Sequence, residues 1–125
     1  MTAEDHKAAV QSLVADVFVG GNLEMLDQLY DLRLAGRARA WIAPFRASFC
    51  DLDMEIIDLV AENDTVVARL VCSGTHTGDW LGHPPTGRRF HRVPEVYFFR
   101  FTDGRISKAW GLEDTYRRLR QLGLQ

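Results

Sequence analysis

The apolar residues of this 125-residue chain change their spacing once, near Asp53, and that switch restricts the folds open to it. Before Asp53 the spacing is helical. Val10, Leu13, Val14, Val17 and Phe18 recur three and four apart on one helix face, and Gly20-Gly21 stops the run. Asn22 is a suitable N-cap for a second helix over Leu23–Tyr30, with Glu24 and Asp27 near the positive end of its dipole. A third helix is expected over Arg37–Phe49, where Ala38, Trp41, Ile42, Phe45 and Phe49 share a stripe and Pro44 implies a kink.

After Asp53 the period is two. Met54, Ile56 and Asp58 alternate with Glu55 and Ile57, and Asn63-Asp64 reads as a hairpin turn. Val66–Thr77 is a second strand, Gly78–Gly87 a loop with two prolines and three glycines. Phe90–Phe101 and Arg105–Leu112 form a long hairpin around Thr102-Asp103-Gly104. A short helix from Glu113 to Leu122 ends at Gly123. Helices first and an antiparallel meander afterwards predict an α+β fold, one domain over residues 1–125, with helices packed on one face of a curved sheet. A cavity between that face and the helices is the expected place for a small ligand.

Composition removes several function classes. A net charge of −2 without a basic run lacks the footprint of a nucleic-acid binder. No apolar stretch approaches a membrane span, and the start MTAEDHKAAV is not a signal peptide, so a cytoplasmic location is expected. Cys50 and Cys72 stand far apart with no metal-ligand spacing, and the four histidines form neither H-x-H nor HExxH. No Gly-rich phosphate loop opens a helix. The expectation is a protein with no cofactor and no metal.

Several motifs occur in one order: NLEMLDQLY at 22–30, GTHTG at Gly74–Gly78, GHPPTGRRF at Gly82–Phe90, FFRFTDGRI at Phe98–Ile106, WGLED at Trp110–Asp114 and RQLG at Arg120–Gly123. In this the chain resembles the SnoaL-like polyketide cyclase (ester cyclase) family of the nuclear-transport-factor-2-like superfamily. The resemblance implies a cone-shaped curved antiparallel sheet with the N-terminal helices over its concave face, and a homodimer. It further implies cofactor-free intramolecular aldol closure of a small, largely apolar, polyketide-like carbonyl compound, with Asp114 at the acid/base position. The chain departs from the family where Asp31–Arg37 leads almost directly into the third helix, shortening a segment that usually carries pocket residues. Ala109 stands where His is common, and Leu112 replaces a polar residue.

A proton between two carbonyls is already acidic, so a carboxylate within hydrogen-bond reach suffices as general base, and the pocket need only fold the substrate. Asp114 shares period-two parity with Ile106, Lys108, Trp110 and Leu112 if the strand is unbroken, and burial beside Trp110 is expected to raise its pKa. It is equally well placed as the N-cap of the last helix. His76 and His91 are the other catalytic candidates; His76 follows an apolar strand, and His91 shares parity with Val93, Glu95, Tyr97 and Phe99. Trp41, Phe45, Trp80, Tyr97, Phe99 and Trp110 suit either a core or a flat ligand, with Trp80 a lid or a dimer contact. Arg88, Arg89, Arg92 and Glu95 read as a solvated charged cluster or as a site for a substrate carboxylate or ester. Two further readings stay open: epoxide hydrolysis, with Asp114 beside Arg69 or Arg100, and a non-catalytic small-molecule-binding or dimerisation module.

Overall fold

A computed structural model describes residues 1–124. Helix α1 (Ala3–Ser12) begins in a capping box: Thr2 Oγ1 accepts the Asp5 N–H, and the Asp5 carboxylate accepts the Thr2 N–H. It continues as a π-helical stretch, Leu13–Val19, that buries Leu13, Val14, Val17 and Phe18, and it stops at Gly20 as expected. The second helix is shorter than its periodicity suggests, a 3-10 turn (Leu23–Met25) running into α2 (Leu26–Leu29). Asn22 precedes it without capping through its side chain.

Helix α3 spans Leu32–Ser48 and starts five residues before the expected Arg37. The reason is Asp31, whose side chain accepts the Leu34 N–H at 2.9 Å and opens the helix at once. Pro44 is tolerated near its C-terminal end, where Ser48 Oγ donates to the Pro44 carbonyl at 3.0 Å.

Four strands follow as an antiparallel meander in the order β1-β2-β3-β4: Asp53–Glu62, Thr65–Thr75, Arg89–Thr102 and Arg105–Glu113. The sheet is curved and open at its edges, as the sequence pattern predicts. The two hairpin turns fall at Asn63-Asp64 and Asp103-Gly104, where Asn63, Asp103 and Gly104 take the positive φ that a tight turn of right-twisted strands demands. The last helix, α4, is Thr115–Gln121, with Gly123 at φ 72° beyond it.

Three bulges interrupt the ladders, and each breaks a parity inferred from sequence. The pairing slips between Ile56 and Asp58, so Met54 and Ile56 pack inward but Leu59 and Ala61 succeed them, leaving Asp58 outside to bond Arg69 at 2.6 Å. It slips again opposite Ser73, where Arg92 has φ 52° and His91 turns outward although Phe90 and Val93 are buried. The third slip, at Ser107, leaves Arg100 opposite Lys108 but Phe101 opposite Ile106.

The apolar interior has two parts. The larger lies between α1, its π-helical extension, α3 and the sheet, and contains Val10, Leu13, Val17, Ile42, Leu70 and Ile106. There His6 stacks on Phe101 with ring centroids 4.3 Å apart. The smaller lies under the end of α3 and contains Phe49, Cys72, Trp80, Phe90, Val93 and Leu122. No helix among the described residues is long and apolar enough to cross a membrane.

Asp51 ties the sheet to the turn after α3. Its carboxylate accepts the Thr75 N–H at 2.6 Å, the Thr75 hydroxyl at 2.7 Å and Arg89 Nη1 at 2.9 Å. The Thr75 hydrogen bonds, backbone first, hold the Asp51 carboxyl below its usual range. A lowered carboxyl stabilises the fold above the ordinary Asp range, and that contribution disappears as pH falls through the folded value. Asp51→Asn is therefore expected to melt a few degrees below wild type near neutral pH. The difference should shrink as pH falls below the ordinary Asp range and through the lowered folded value, which thermal melts across pH will show.

Candidate active site

The Ser107 bulge decides which side chains β4 presents to the concave face. Beyond it Glu113 lies opposite Glu95, Gly111 opposite Tyr97 and Ala109 opposite Phe99, all on the inward parity of β3. Lys108, Trp110 and Leu112 fall on the other face. Gly111 is needed there: a Cβ would collide with the Tyr97 ring and the Val96 carbonyl. The small residue lets Tyr97 lie across β4.

Between α3 and the β3–β4 hairpin is a cleft of about 430 Å³, within the range of small-molecule sites. Leu34, Arg37, Ala38 and Trp41 of α3 form one wall, with Phe18 and Tyr30 at its back. Tyr97, Phe99 and β4 from Ala109 to Glu113 form the other. Trp41 is 43% exposed and sits 5.4 Å from Phe18 and 6.4 Å from Tyr97, ring to ring. The lining is mostly aromatic and aliphatic, with Glu113 and Arg37 as its charged members.

Beneath the Glu113 edge lies a buried ionic network. Arg118, on the first turns of α4, is fully buried and donates from Nη2 to Glu95 Oε2 at 2.6 Å, with the Glu95 side chain 1% exposed. Its Nη1 is 3.2 Å from Glu113 Oε1, a contact between charges without hydrogen-bond geometry, so Nη1 and Nε lack hydrogen-bond partners among the described residues. The guanidinium is flanked by Phe90, Phe45 and Trp80, with Cζ 4.6, 5.1 and 5.7 Å from the ring centroids. The Tyr97 hydroxyl donates to Glu95 Oε1 at 2.7 Å. Burial pushes the Glu95 carboxyl up and Arg118 pulls it back only in part; burial likewise pushes the Tyr97 phenol up, Glu95 adding to it. Two carboxylates directly opposite on adjacent strands repel. Arg118 between them makes the arrangement tolerable.

The sequence candidates separate into distinct places. Trp41, Tyr97 and Phe99 line the cleft, and Trp110 borders it through its strand while its ring stacks on Phe98 across the outer face at 5.3 Å. Phe45 and Trp80 stand outside it, around Arg118. Trp80 is 7% exposed, packed on Phe49 and bridged to His83, which makes it core rather than a lid. His76 is fully buried beside Phe49; its Nδ1 lies 3.1 Å from both the Thr86 N–H and the Thr86 hydroxyl, and its Nε2 has no hydrogen-bond partner among the described residues. His91 is exposed and its backbone N–H bonds Gln121.

Asp114 is not buried beside Trp110. Its side chain is 37% exposed, and it caps α4 by accepting the Arg117 N–H at 3.0 Å. Because the bulge reverses parity, its neighbour Glu113 is the acid that lines the cleft. Of the basic cluster, Arg89 and Arg92 form exposed ion pairs with Asp51 and Glu55, whereas Glu95 belongs to the buried network. Arg69 pairs with Asp58 and Arg100 is exposed; neither lines the cleft. Sequence reasoning missed Glu113, Arg118, Arg37 and the role of Glu95. A signal for two of them was present: Glu95 sits on the apolar parity of Val93 and Tyr97, and Arg118 is four residues before buried Leu122. Among the described residues, no three His, Cys, Asp or Glu side chains gather as a metal site.

A family model described as SnoaL-like polyketide cyclase matches residues 8–122. The chain belongs to that family. The solved structure of TsrD from Streptomyces laurentii superimposes with a TM-score of 0.88 at 27% identity, covering 100% of this chain and 99% of that one. Aklanonic acid methyl ester cyclase AcmA of Streptomyces galilaeus is 36% identical over 70 residues, which cover 56% of this chain and 48% of that protein. Nogalonic acid methyl ester cyclase of Streptomyces nogalater is 37% identical over 79 residues, 62% of this chain and 58% of that one. The matched stretch thus spans about half the length of these two curated relatives. The fold is the nuclear-transport-factor-2-like one that the motifs imply.

Removing one member of the buried pair leaves the other charge uncompensated. Glu95→Ala is expected to destabilise the protein by about 3–5 kcal/mol in urea unfolding. The double change Glu95→Leu with Arg118→Met should cost much less, within about 2 kcal/mol of wild type.

Proposed function

We propose that this protein closes a ring in a largely apolar carbonyl compound of polyketide type, by cofactor-free intramolecular aldol addition. The observation that carries this reading is an aromatic-walled cleft with a carboxylate at its edge, in a chain of this family. A methyl ester of an aromatic polyketide acid is the substrate class, on the analogy of the two named cyclases. A flat ligand fits between Trp41 on one wall and Tyr97 and Phe99 on the other. Holding it folded brings the enolate carbon to the carbonyl it attacks.

The acid/base group in this reading is a carboxylate at the C-terminal end of β4. Asp114 has the family motif in its favour, and Glu113 has the cleft. Neither His76 nor His91 lines the cleft, and the Tyr97 hydroxyl already gives its proton to Glu95. The exposed outer-face residues Val60, Trp110 and Leu112 support a homodimer through the sheet, and two free cysteines, one exposed, suit a cytoplasmic location. One observation favours a second reading, epoxide hydrolysis: the acid–Arg–acid set Glu113, Arg118 and Glu95 is the kind of arrangement that activates water.

Incubation with an aromatic polyketide methyl ester, followed by mass spectrometry and chiral chromatography, should give a cyclised product that takes no oxygen from labelled water. Replacing both carboxylates, Glu113→Gln with Asp114→Asn, should lower kcat by about 10²–10⁴-fold. Full activity in that double variant would remove the carboxylate from the mechanism, and solvent oxygen in the product would favour hydrolysis.

A further inference from the structure

We infer that Glu113 is the catalytic base of the cleft, and that Arg118, anchored by Glu95, is its positioning residue. The inference rests on the cyclase reading for its substrate and assigns the proton transfer within it. Three observations carry it.

The first is direction. Past the Ser107 bulge, the inward parity of β4 runs through Ala109, Gly111 and Glu113, and Glu113 lines the cleft whereas Asp114 does not. Asp114 turns its oxygens to the first turn of α4, Oδ1 to the Arg117 N–H at 3.0 Å and Oδ2 to Arg117 Nε at 3.4 Å. Both of its oxygens are thus engaged by Arg117 of α4. Glu113 has no such duty.

The second is freedom at the carboxylate. Glu113 Oε1 lies 3.2 Å from Arg118 Nη1 without hydrogen-bond geometry, and its other polar contact is a long one, 3.4 Å from the Thr115 hydroxyl. Its side chain is 32% exposed at the cleft edge. A carboxylate held by charge but not locked by hydrogen bonds keeps lone pairs for a proton and room to reach for it.

The third is the rigidity behind it. Arg118 is pinned by a 2.6 Å bond to Glu95 and flanked by Phe90, Phe45 and Trp80. A buried ion pair is poor evidence for stability, since desolvating both charges roughly offsets their attraction. A fixed guanidinium that aims a mobile carboxylate gives the pair a use. Glu95 carries the compensating charge, so that Arg118 orients Glu113 without presenting an unbalanced cation to the base.

In the reaction, the proton on the carbon between two carbonyls moves to a Glu113 oxygen, and the C–H electron pair becomes the enolate. The enolate carbon attacks the second carbonyl carbon, forming the C–C bond, and the new alkoxide recovers the proton from Glu113. The carboxylate is regenerated and no oxidant, reductant or co-reactant is consumed.

Hydrogen–deuterium exchange at that carbon, followed by NMR in D₂O, reads the first step apart from ring closure, and the aromatic polyketide methyl ester serves as probe for both. Glu113→Gln should keep the wild-type melting temperature and KM while kcat and the enzyme-dependent exchange each fall by at least about 100-fold. Glu113→Asp, which retains a carboxylate, should recover at least about tenfold of that loss. Asp114→Asn, whose side-chain oxygen can still accept the Arg117 N–H and cap α4, should keep the wild-type melting temperature and keep both rates within about tenfold. The inference is overturned if Asp114→Asn abolishes exchange while Glu113→Gln retains it, or if both single variants retain it. Exchange that depends on Glu113 without ring closure would sustain the assigned base and refute the cyclase reading. A wild-type protein that binds the probe, by Trp41 quenching, but neither exchanges nor closes it would refute both.

Discussion

The contact between Arg118 and Glu95 organises more of this molecule than any other. Arg118 comes from the last helix, Glu95 from the middle of the longest strand, and the flanking rings from α3, the Gly/Pro loop and the start of β3. Two ions taken from water cost several kcal/mol each, and their attraction in a dry interior repays this only when geometry and secondary contacts are good. Here the bond is 2.6 Å, the Tyr97 hydroxyl satisfies a second oxygen of Glu95, and three aromatic faces meet the guanidinium. The same charges reach the cleft through Tyr97 and Glu113. The concave face therefore has an apolar wall and one ionic corner, and Arg118, Glu95 and the three rings that fix the corner stand outside the cleft lining.

The elements themselves were legible because their signals are local. Helix periodicity, the Gly20-Gly21 stop, the turns at Asn63-Asp64 and Asp103-Gly104, and the order of four strands all follow from spacing and turn chemistry. Boundaries failed where a side chain overrode the pattern, as when Asp31 capped α3 and started it early. Side-chain direction failed for a different reason. Counting by twos along a strand is valid only until the ladder slips, and each of three strands slips once, at Ile57, at His91-Arg92 and at Ser107. A count that crosses one of these points puts Asp58 in step with Met54 and Ile56, His91 with Val93 and Tyr97, and Asp114 with Ile106. A bulge shifts one residue in the register and reverses every assignment after it. No composition signal at Ser107 announces one.

The site was legible in the same uneven way. Trp41, Tyr97 and Phe99 lie on uninterrupted parts of their elements, and all three line the cleft. Phe45 and Trp80 were good candidates by residue type alone, and residue type cannot say whether a ring faces a ligand or a cation. That choice was made by Arg118, whose buried position only a tertiary contact reveals. An arginine in a terminal helix reads as solvated by default, and its four-residue spacing from Leu122 is a weak counter-signal.

The short link after Tyr30 has a structural consequence that bears on the cleft. With α3 beginning at Leu32, no further segment intervenes between it and α2 to cover the outer half of β4, and Ala109 to Glu113 remain exposed although they border the cavity. An open wall weakens exclusion of water, and water screens the charges at its rim. What such a site loses in desolvation it must supply through placement. A guanidinium fixed by three rings and a buried glutamate stands 3.2 Å from Glu113 Oε1, so the carboxylate at the cleft edge has a fixed counter-charge without a lid to enclose it. The open cleft and the rigid ionic corner are then two sides of one arrangement: the wall is left open, and the charges at its edge are held from behind.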